Sequence, residues 1–211
     1  MEPPGLDVAS YIGGFAASPL AAWCALPPWQ LCAQSAVIVR ELLASLNADE
    51  FRIDGEIAIH RSATIESGAV LKGPLIVGPR CFIAAGAYLR GGNWLAEGCG
   101  IGPGSELKSS FLFGGSKLAH FNFVGDSLLG SDVNLEAGSI VCNHRNERAD
   151  KALRIRVGGT LQAIGCDKFG ALLGDGVRIG ANAVLAPACV LAPGTVIQRA
   201  ALCEQDPEPA R

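Results

Sequence analysis

Large aromatic rings are scarce in this chain of 211 residues, which has three Trp and two Tyr. Charge of one sign is scarce too: 17 Lys and Arg face 20 Asp and Glu, a net charge of −3. That balance is too small to imply nucleic acid or an anionic membrane as the main partner, and neither is expected. Eight cysteines occur, at 24, 32, 81, 99, 142, 166, 189 and 203, yet no Cys-x-x-Cys spacing does. With no disulfide framework visible, they read as small core residues in a reducing compartment. No basic-then-apolar signal is present. The apolar stretch 11–39 is broken by Pro19, Pro27 and Pro28, so it is not a membrane span. A cytoplasmic protein is expected.

Glycine and aliphatic side chains are abundant. Gly accounts for 27 residues, and 49% of the chain is hydrophobic. From Ile59 to Ala119 an aliphatic or small apolar residue recurs at every sixth position: 59, 65, 71, 77, 83, 89, 95, 101, 107, 113 and 119. The series resumes at Leu129, Leu135 and Val141, and again at Leu173, Ile179, Leu185, Leu191 and Ile197. Neither a helix nor an ordinary strand has that period. A chain that turns a corner every six residues does, and three such edges make a triangular coil of about eighteen residues. Gly supplies freedom at the corners, and a narrow prism leaves little room for rings. The expected fold is all-β, a left-handed parallel β-helix with an N-terminal helical segment.

Residues 1–52 read as an irregular arm followed by a helix over 29–47, opened by Pro28. That helix is expected to cap the open end of the prism, where strand edges are unpaired. Coils are expected over 53–198, interrupted by an inserted loop at 145–172, and a disordered tail over 199–211. The series slips once, between Ala119 and Leu129, in the segment HFNFVGD. The insertion opens with five cations (Arg145, Arg148, Lys151, Arg154, Arg156) against Glu147 and Asp150.

A residue eighteen positions on lies one coil up, about 4.8 Å away. Lys72, Arg90 and Lys108 therefore form one column, which is either a solvated basic edge or a clamp for a phosphate or carboxylate. The period places His120 above Glu66, Ala84 and Gly102, with small residues beside its ring. Glu136 and Glu106 are the two candidates to orient it as a base. A metal reading is weak. His60 lies more than three coils from His120, and His144 brings no carboxylate set with it.

The stretch 106–143, ELKSSFLFGGSKLAHFNFVGDSLLGSDVNLEAGSIVCN, resembles a known block. It is similar to the C-terminal acetyltransferase domain of bifunctional glucosamine-1-phosphate acetyltransferase/N-acetylglucosamine-1-phosphate uridyltransferase. Gly115-Ser116-Lys117, Ala119-His120, Gly125-Asp126, Asp132-Val133-Asn134, Ala137-Gly138 and Cys142-Asn143 carry the match, and Tyr88-Leu89-Arg90 extends it upstream. The resemblance implies a hexapeptide-repeat acyltransferase working as a homotrimer. It implies His120 as general base oriented by Glu106. Arg90 and Lys108 would bind the sugar phosphate, and Phe123, Asn134 and Asn143 would line the sugar and acetyl sites. Acetyl-CoA or another acyl-CoA would be cosubstrate, lying near His144, Ala181 and Ala192, and no metal is required. The departures are a missing nucleotidyltransferase half, Phe123 where the family has Tyr, and His144-Arg145-Asn146 where it has Tyr-Asp-Gly. In the longer insertion, Arg148 and Lys151 both compete for the family's lysine role. The expected activity is acyl transfer to an amino-sugar phosphate or nucleotide-linked sugar. The alternatives are a UDP-sugar acyltransferase using acyl carrier protein, and a non-catalytic sugar-nucleotide-binding or scaffold subunit.

Overall fold

A computed structural model describes residues 6–207. Three sheets of eight, seven and seven strands form the sides of a left-handed parallel β-helix. Each strand pairs with the equivalent edge of the next coil. Ile59 stacks on Val77 and then Leu95 on the first sheet, Ile65 on Ile83 and Ile101 on the second, and Leu71 on Leu89 and Leu107 on the third. These residues fill one continuous apolar core.

Above Leu107 the repeat departs from six. Leu112, not Phe113, stacks on Leu95, and Leu118, not Ala119, stacks on Ile101. Leu129 follows Val124 on the same pattern. The expected single slip is therefore two one-residue deletions, both at the corner from the third sheet to the first. Buried side chains replace the backbone bonds lost there. Ser110 N donates to Asn93 Oδ1 (3.0 Å), Ser127 N to Ser110 Oγ (3.0 Å) and Ala171 N to Ser127 Oγ (3.0 Å). An unpaired buried N–H costs about as much as a lost hydrogen bond, so this polar ladder makes the tighter corner possible.

The N-terminal segment does not cap the end. Two helices, Pro28–Ala33 and Ser35–Ala44, replace the expected single one, with a break at Gln34. They and the preceding arm lie on the outer side of the first sheet. The outward side chains there are apolar (Ala58, Ile76, Trp94, Phe111, Leu128, Leu172), and a second core forms over them. Phe113 belongs to this outer core, its ring 5.3 Å from Trp94 and 6.1 Å from Phe15. The end of the first sheet is instead closed by Phe51–Asp54, which pairs antiparallel to Ile57–His60. No helix among the described residues is long and apolar enough to cross a membrane.

The insertion is ordered. Arg154–Val157 and Thr160–Ala163 form an antiparallel hairpin, and Leu153, Ile155, Ile164 and Phe169 join the outer core. Its cations are engaged within the chain. Arg145, 1% exposed, makes two hydrogen bonds to Glu204 (2.5 and 2.7 Å). Arg148 pairs with Asp206 at 3.1 Å, and Lys151 Nζ donates to the carbonyls of Arg145 and Asn146. The tail expected to be disordered is thereby latched as far as Asp206, and Leu202–Cys203 adds a last strand beside Val184–Leu185. Residues 208–211 lie outside the described residues.

The latch should be acid-sensitive. Burial pushes the Glu204 carboxyl up, but its bonds to Arg145 and the Asp206 N–H and the charges of Arg145 and Arg148 outweigh that, leaving it below its ordinary 4.5. A depressed folded pKa contributes stability above the unfolded value and loses it as pH falls through the folded one. Protection of the 202–206 amides against hydrogen exchange, taken relative to the intrinsic rate at each pH, should be high at pH 7 and should fall below about pH 4.5, before the coils open.

Candidate functional site

The third sheet carries the expected cation column. Lys72, Arg90 and Lys108 occupy one outward row, each following an inward Leu. None is a free cation. Lys72 Nζ lies 5.1 Å from the centre of the Tyr88 ring. Arg90 donates to Glu106 at 2.8 Å, so Glu106 is engaged by Arg90 rather than by His120. Lys108 Nζ donates to both oxygens of Asp126, at 2.9 and 2.7 Å. Asp126 also accepts from Asn143 Nδ2.

Asp126 is 7% exposed and its backbone is left-handed (φ 49°), which turns its carboxylate back toward Lys108. Gly125 precedes it, between Lys108 below and Cys142 above. A Cβ on Gly125 would lie 2.7 Å from Asn143 Nδ2 and 2.9 Å from Phe123 Cζ. The missing side chain lets Asn143 and Phe123 close over the Gly125 backbone, which gathers Lys108, Phe123, Asp126 and Asn143 into one cluster. The structure thus brings together Arg90, Lys108, Phe123 and Asn143, and adds Asp126, which sequence reasoning did not single out. Its signal was available: it is the first acid one coil above Lys108.

His120 sits one position away from where the period put it. The deletion before Leu112 puts Ala119, not His120, between Gly102 and Glu136. His120 lies at the corner between the second and third sheets, in register with Ala137 and Ala181 above it, as its carbonyl accepting from Gly138 N and that of Ala137 accepting from Asn182 N record. Its side chain is exposed, and its ring makes no hydrogen bond among the described residues. Glu136 is engaged elsewhere. It accepts from Arg199 Nε and Nη2 (both 2.9 Å) and from Ala181 N (2.9 Å). Neither candidate carboxylate orients His120 within one chain.

The remaining expected residues are dispersed. Asn134 lies round the corner on the second sheet, between Lys117 and Arg178. Ala181 shares the His120 corner, whereas Ala192 follows Leu191 at the corner from the first sheet to the second. His144 Nδ1 lies 2.9 Å from the Asp167 carbonyl, which can only accept, so Nδ1 carries the proton. His144 lines a groove of about 480 Å³ with Cys142, Val184, Ala186, Pro187 and Leu202. Burial first, then Glu147, pushes the Cys142 thiol up against the opposing Arg145, so it is not poised as a nucleophile. Among the described residues no three His, Cys, Asp or Glu are grouped to hold a metal ion.

The repeat and its three-sided coil define a hexapeptide-repeat β-helix protein. No family model matches the chain. Curated relatives that it matches include bifunctional proteins. It is 32% identical over 182 residues to a bifunctional sugar-1-phosphate nucleotidylyltransferase/acetyltransferase of Sulfurisphaera tokodaii, covering 82% of this chain and 45% of the relative. It is 29% identical over 187 residues to the bifunctional protein GlmU of Methanococcus vannielii, covering 86% of this chain and 44% of that one. A GlmU of Heliobacterium modesticaldum matches more closely, at 38%, over a shorter span of 93 residues. The chain spans less than half the length of these relatives.

Proposed function

We propose that this protein transfers an acyl group from acyl-CoA to an amino-sugar phosphate or nucleotide-linked sugar, with His120 as general base. The observation that carries the reading is that two features share the third sheet. The His120–Ala137–Ala181 corner leads into that sheet, and the cluster of Lys108, Phe123, Asp126 and Asn143 reaches its far edge, one strand, Phe123–Gly125, away. In this reading a linear donor lies along the corner. The acceptor lies across the strand from it, with its anionic group toward Lys108 and Arg90.

In the proposed step the His120 imidazole takes a proton from the acceptor amine as its nitrogen attacks the thioester carbonyl. The tetrahedral oxyanion is stabilised by backbone N–H groups at the corner. Its collapse breaks the C–S bond, and the thiolate leaves and is protonated to free coenzyme A. The acceptor gains one acyl group and loses one proton.

A second copy of the chain completes the site in this reading. Asn134 and Lys108 face different directions round one corner, so a shared substrate needs a neighbour's face to bring both residue types to it. Most of the large exposed apolar side chains are placed for that contact. Phe82 and Val196 lie on the second sheet, Val70 and Leu202 on the third, and Phe121, 68% exposed, on the corner between them, whereas Val37 and Ile53 lie elsewhere. The outer face of the first sheet's coils is already covered by the second core. Sedimentation should give about three times the 21.8 kDa chain mass. A clean monomer with full activity contradicts the shared site.

The balanced ion pairs at Arg90 and Lys108 make the acceptor test specific. Arg90→Ala should raise KM for a phosphorylated acceptor about tenfold or more, and leave KM for acyl-CoA nearly unchanged. Equal effects on both substrates count against a phosphate at this column.

A further inference from the structure

We propose that the strand Phe51–Asp54, at the lower end of the first sheet, is a pairing edge for a second copy of this chain, joined antiparallel through Ile53 about a two-fold axis.

The strand is the last of its sheet and has one partner strand, Ile57–His60. The Arg61 N–H donates to the Glu50 carbonyl at 2.9 Å, so Glu50, Arg52 and Asp54 turn their backbone groups toward that partner. Phe51 and Ile53 turn theirs away from it. The Phe51 N–H is taken by the Asn47 carbonyl at 3.2 Å. The Ile53 N–H and carbonyl find no hydrogen bond among the described residues. Ile53 is 46% exposed, and Arg52 and Asp54 on either side of it are exposed too.

An open strand edge is a template for another chain unless proline, a bulge or charge blunts it. Here the register with Ile57–His60 runs without a bulge, and no proline falls in the strand. Its two charges are opposite in sign. Glu56 in the adjoining turn is held by Arg40, which leaves Arg52 and Asp54 with no ion pair among the described residues.

That pattern is self-complementary. About a two-fold axis through Ile53, Arg52 of each copy lies opposite Asp54 of the other. Each Ile53 N–H would donate to the other Ile53 carbonyl, and each Gly55 N–H to the other Phe51 carbonyl. The Ile53 side chains would cover each other, on the face where Ile53 lies opposite the buried Ala58. A register centred one residue away is disfavoured, because it sets Arg52 against Arg52 or Asp54 against Asp54. The charges therefore select a second copy, and one register of it.

Only this side of the prism presents such an edge at the lower end. Phe51–Asp54 lies one strand spacing, about 4.8 Å, below the first coil, whereas the second and third sheets end within that coil, at Thr64–Ile65 and Val70–Leu71. A second copy approaching end-on meets Phe51–Asp54 first. The contact is short, so it associates reversibly with concentration. It doubles whatever unit the sides of the prism build and does not replace that unit.

Sedimentation equilibrium over a dilution series tests the edge, with the wild type, Arg52→Asp, Asp54→Arg and the double swap Arg52→Asp/Asp54→Arg. Both residues are exposed, so the variants should fold, and matching Tm values check this. The wild-type mass should double from dilute to concentrated protein. Each single variant sets like charges opposite at both cross-strand pairs and should weaken the doubling about tenfold or more. The double swap restores opposite charges and should recover it. Ile53→Pro, which removes the outward N–H and leaves the pairing with Ile57–His60 intact, should abolish it. A wild-type mass that stays constant across the series overturns the proposal, and a constant three-chain mass does so while leaving the lateral trimer standing. Doubling from one chain to two, with the same response to the variants, supports the edge and removes the trimer. Doubling that the single variants leave unchanged, or that the folded double swap does not recover, overturns the Ile53-centred pairing.

Discussion

His120→Ala should lower the turnover number by about 10²–10⁴-fold, the contribution of one positioned general base. Affinity for acyl-CoA should change little, because the ring acts on the acceptor's proton. His120→Asn should lose as much, since an amide keeps polarity but accepts no proton at neutral pH. The ring makes no hydrogen bond among the described residues, and both candidate carboxylates are committed, Glu106 to Arg90 and Glu136 to Arg199. Glu106→Gln should therefore act through Arg90, raising KM for a phosphorylated acceptor more than it lowers kcat. Parallel rate profiles across pH for the wild type and Glu106→Gln would agree with that. A shift of the base limb in Glu106→Gln would restore Glu106 as the orienting group. Full activity of His120→Ala would exclude the mechanism while leaving the fold untouched.

Asp126→Ala should produce the largest loss of stability among the residues of the Lys108–Asp126 cluster. Lys108 and Asp126 are mostly withdrawn from water, with side chains 22% and 10% exposed. Removing one partner of a buried pair costs about 3–5 kcal/mol, because the other charge is left uncompensated. Residual exposure of Lys108 lowers that to about 2–3 kcal/mol. For a chain of this size the melting temperature should fall by roughly 5–10 °C. Lys108→Met combined with Asp126→Leu should recover most of it, since an apolar pair leaves no charge to strand. The double variant should still lose the acceptor, because the cluster no longer holds the lysine cation. A double variant as unstable as Asp126→Ala would show that the loss arises from the Asn143 bond or the left-handed turn, not from the stranded lysine.

The lower coils were legible because only their inward residues are consistently aliphatic at period six. The reading went astray at Phe111-Leu112-Phe113, where all three residues are buried. Leu112 points into the prism, while Phe111 and Phe113 pack under the helices. An apolar run with both faces covered cannot report which residue points inward. The same ambiguity recurs at Leu128-Leu129. One lost residue then moved His120 from beside Gly102 to the corner, and with it the argument for Glu136. The cation column survived because it lies below the first deletion. Its partners did not emerge, because an offset of one coil fixes stacking and not which acid a long side chain reaches. The Arg145–Glu204 latch joins residues 59 apart in sequence and belongs to no period. No repeat argument could reach it, so the insertion read as a free basic loop and the tail as disordered.

The central claim is acyl transfer between the His120 corner and the Lys108–Asp126 cluster on the third sheet. Thiol release from acetyl-CoA and short acyl-CoA donors, measured against a panel of amino-sugar phosphates and nucleotide-linked amino sugars, tests it most directly. The account predicts acceptor-dependent release by the wild type, strongest with a phosphorylated amino sugar and reduced about 10²-fold or more in His120→Ala. No acceptor-dependent release from any donor, by a folded protein that still binds the sugars, would contradict it and favour a non-catalytic binding subunit.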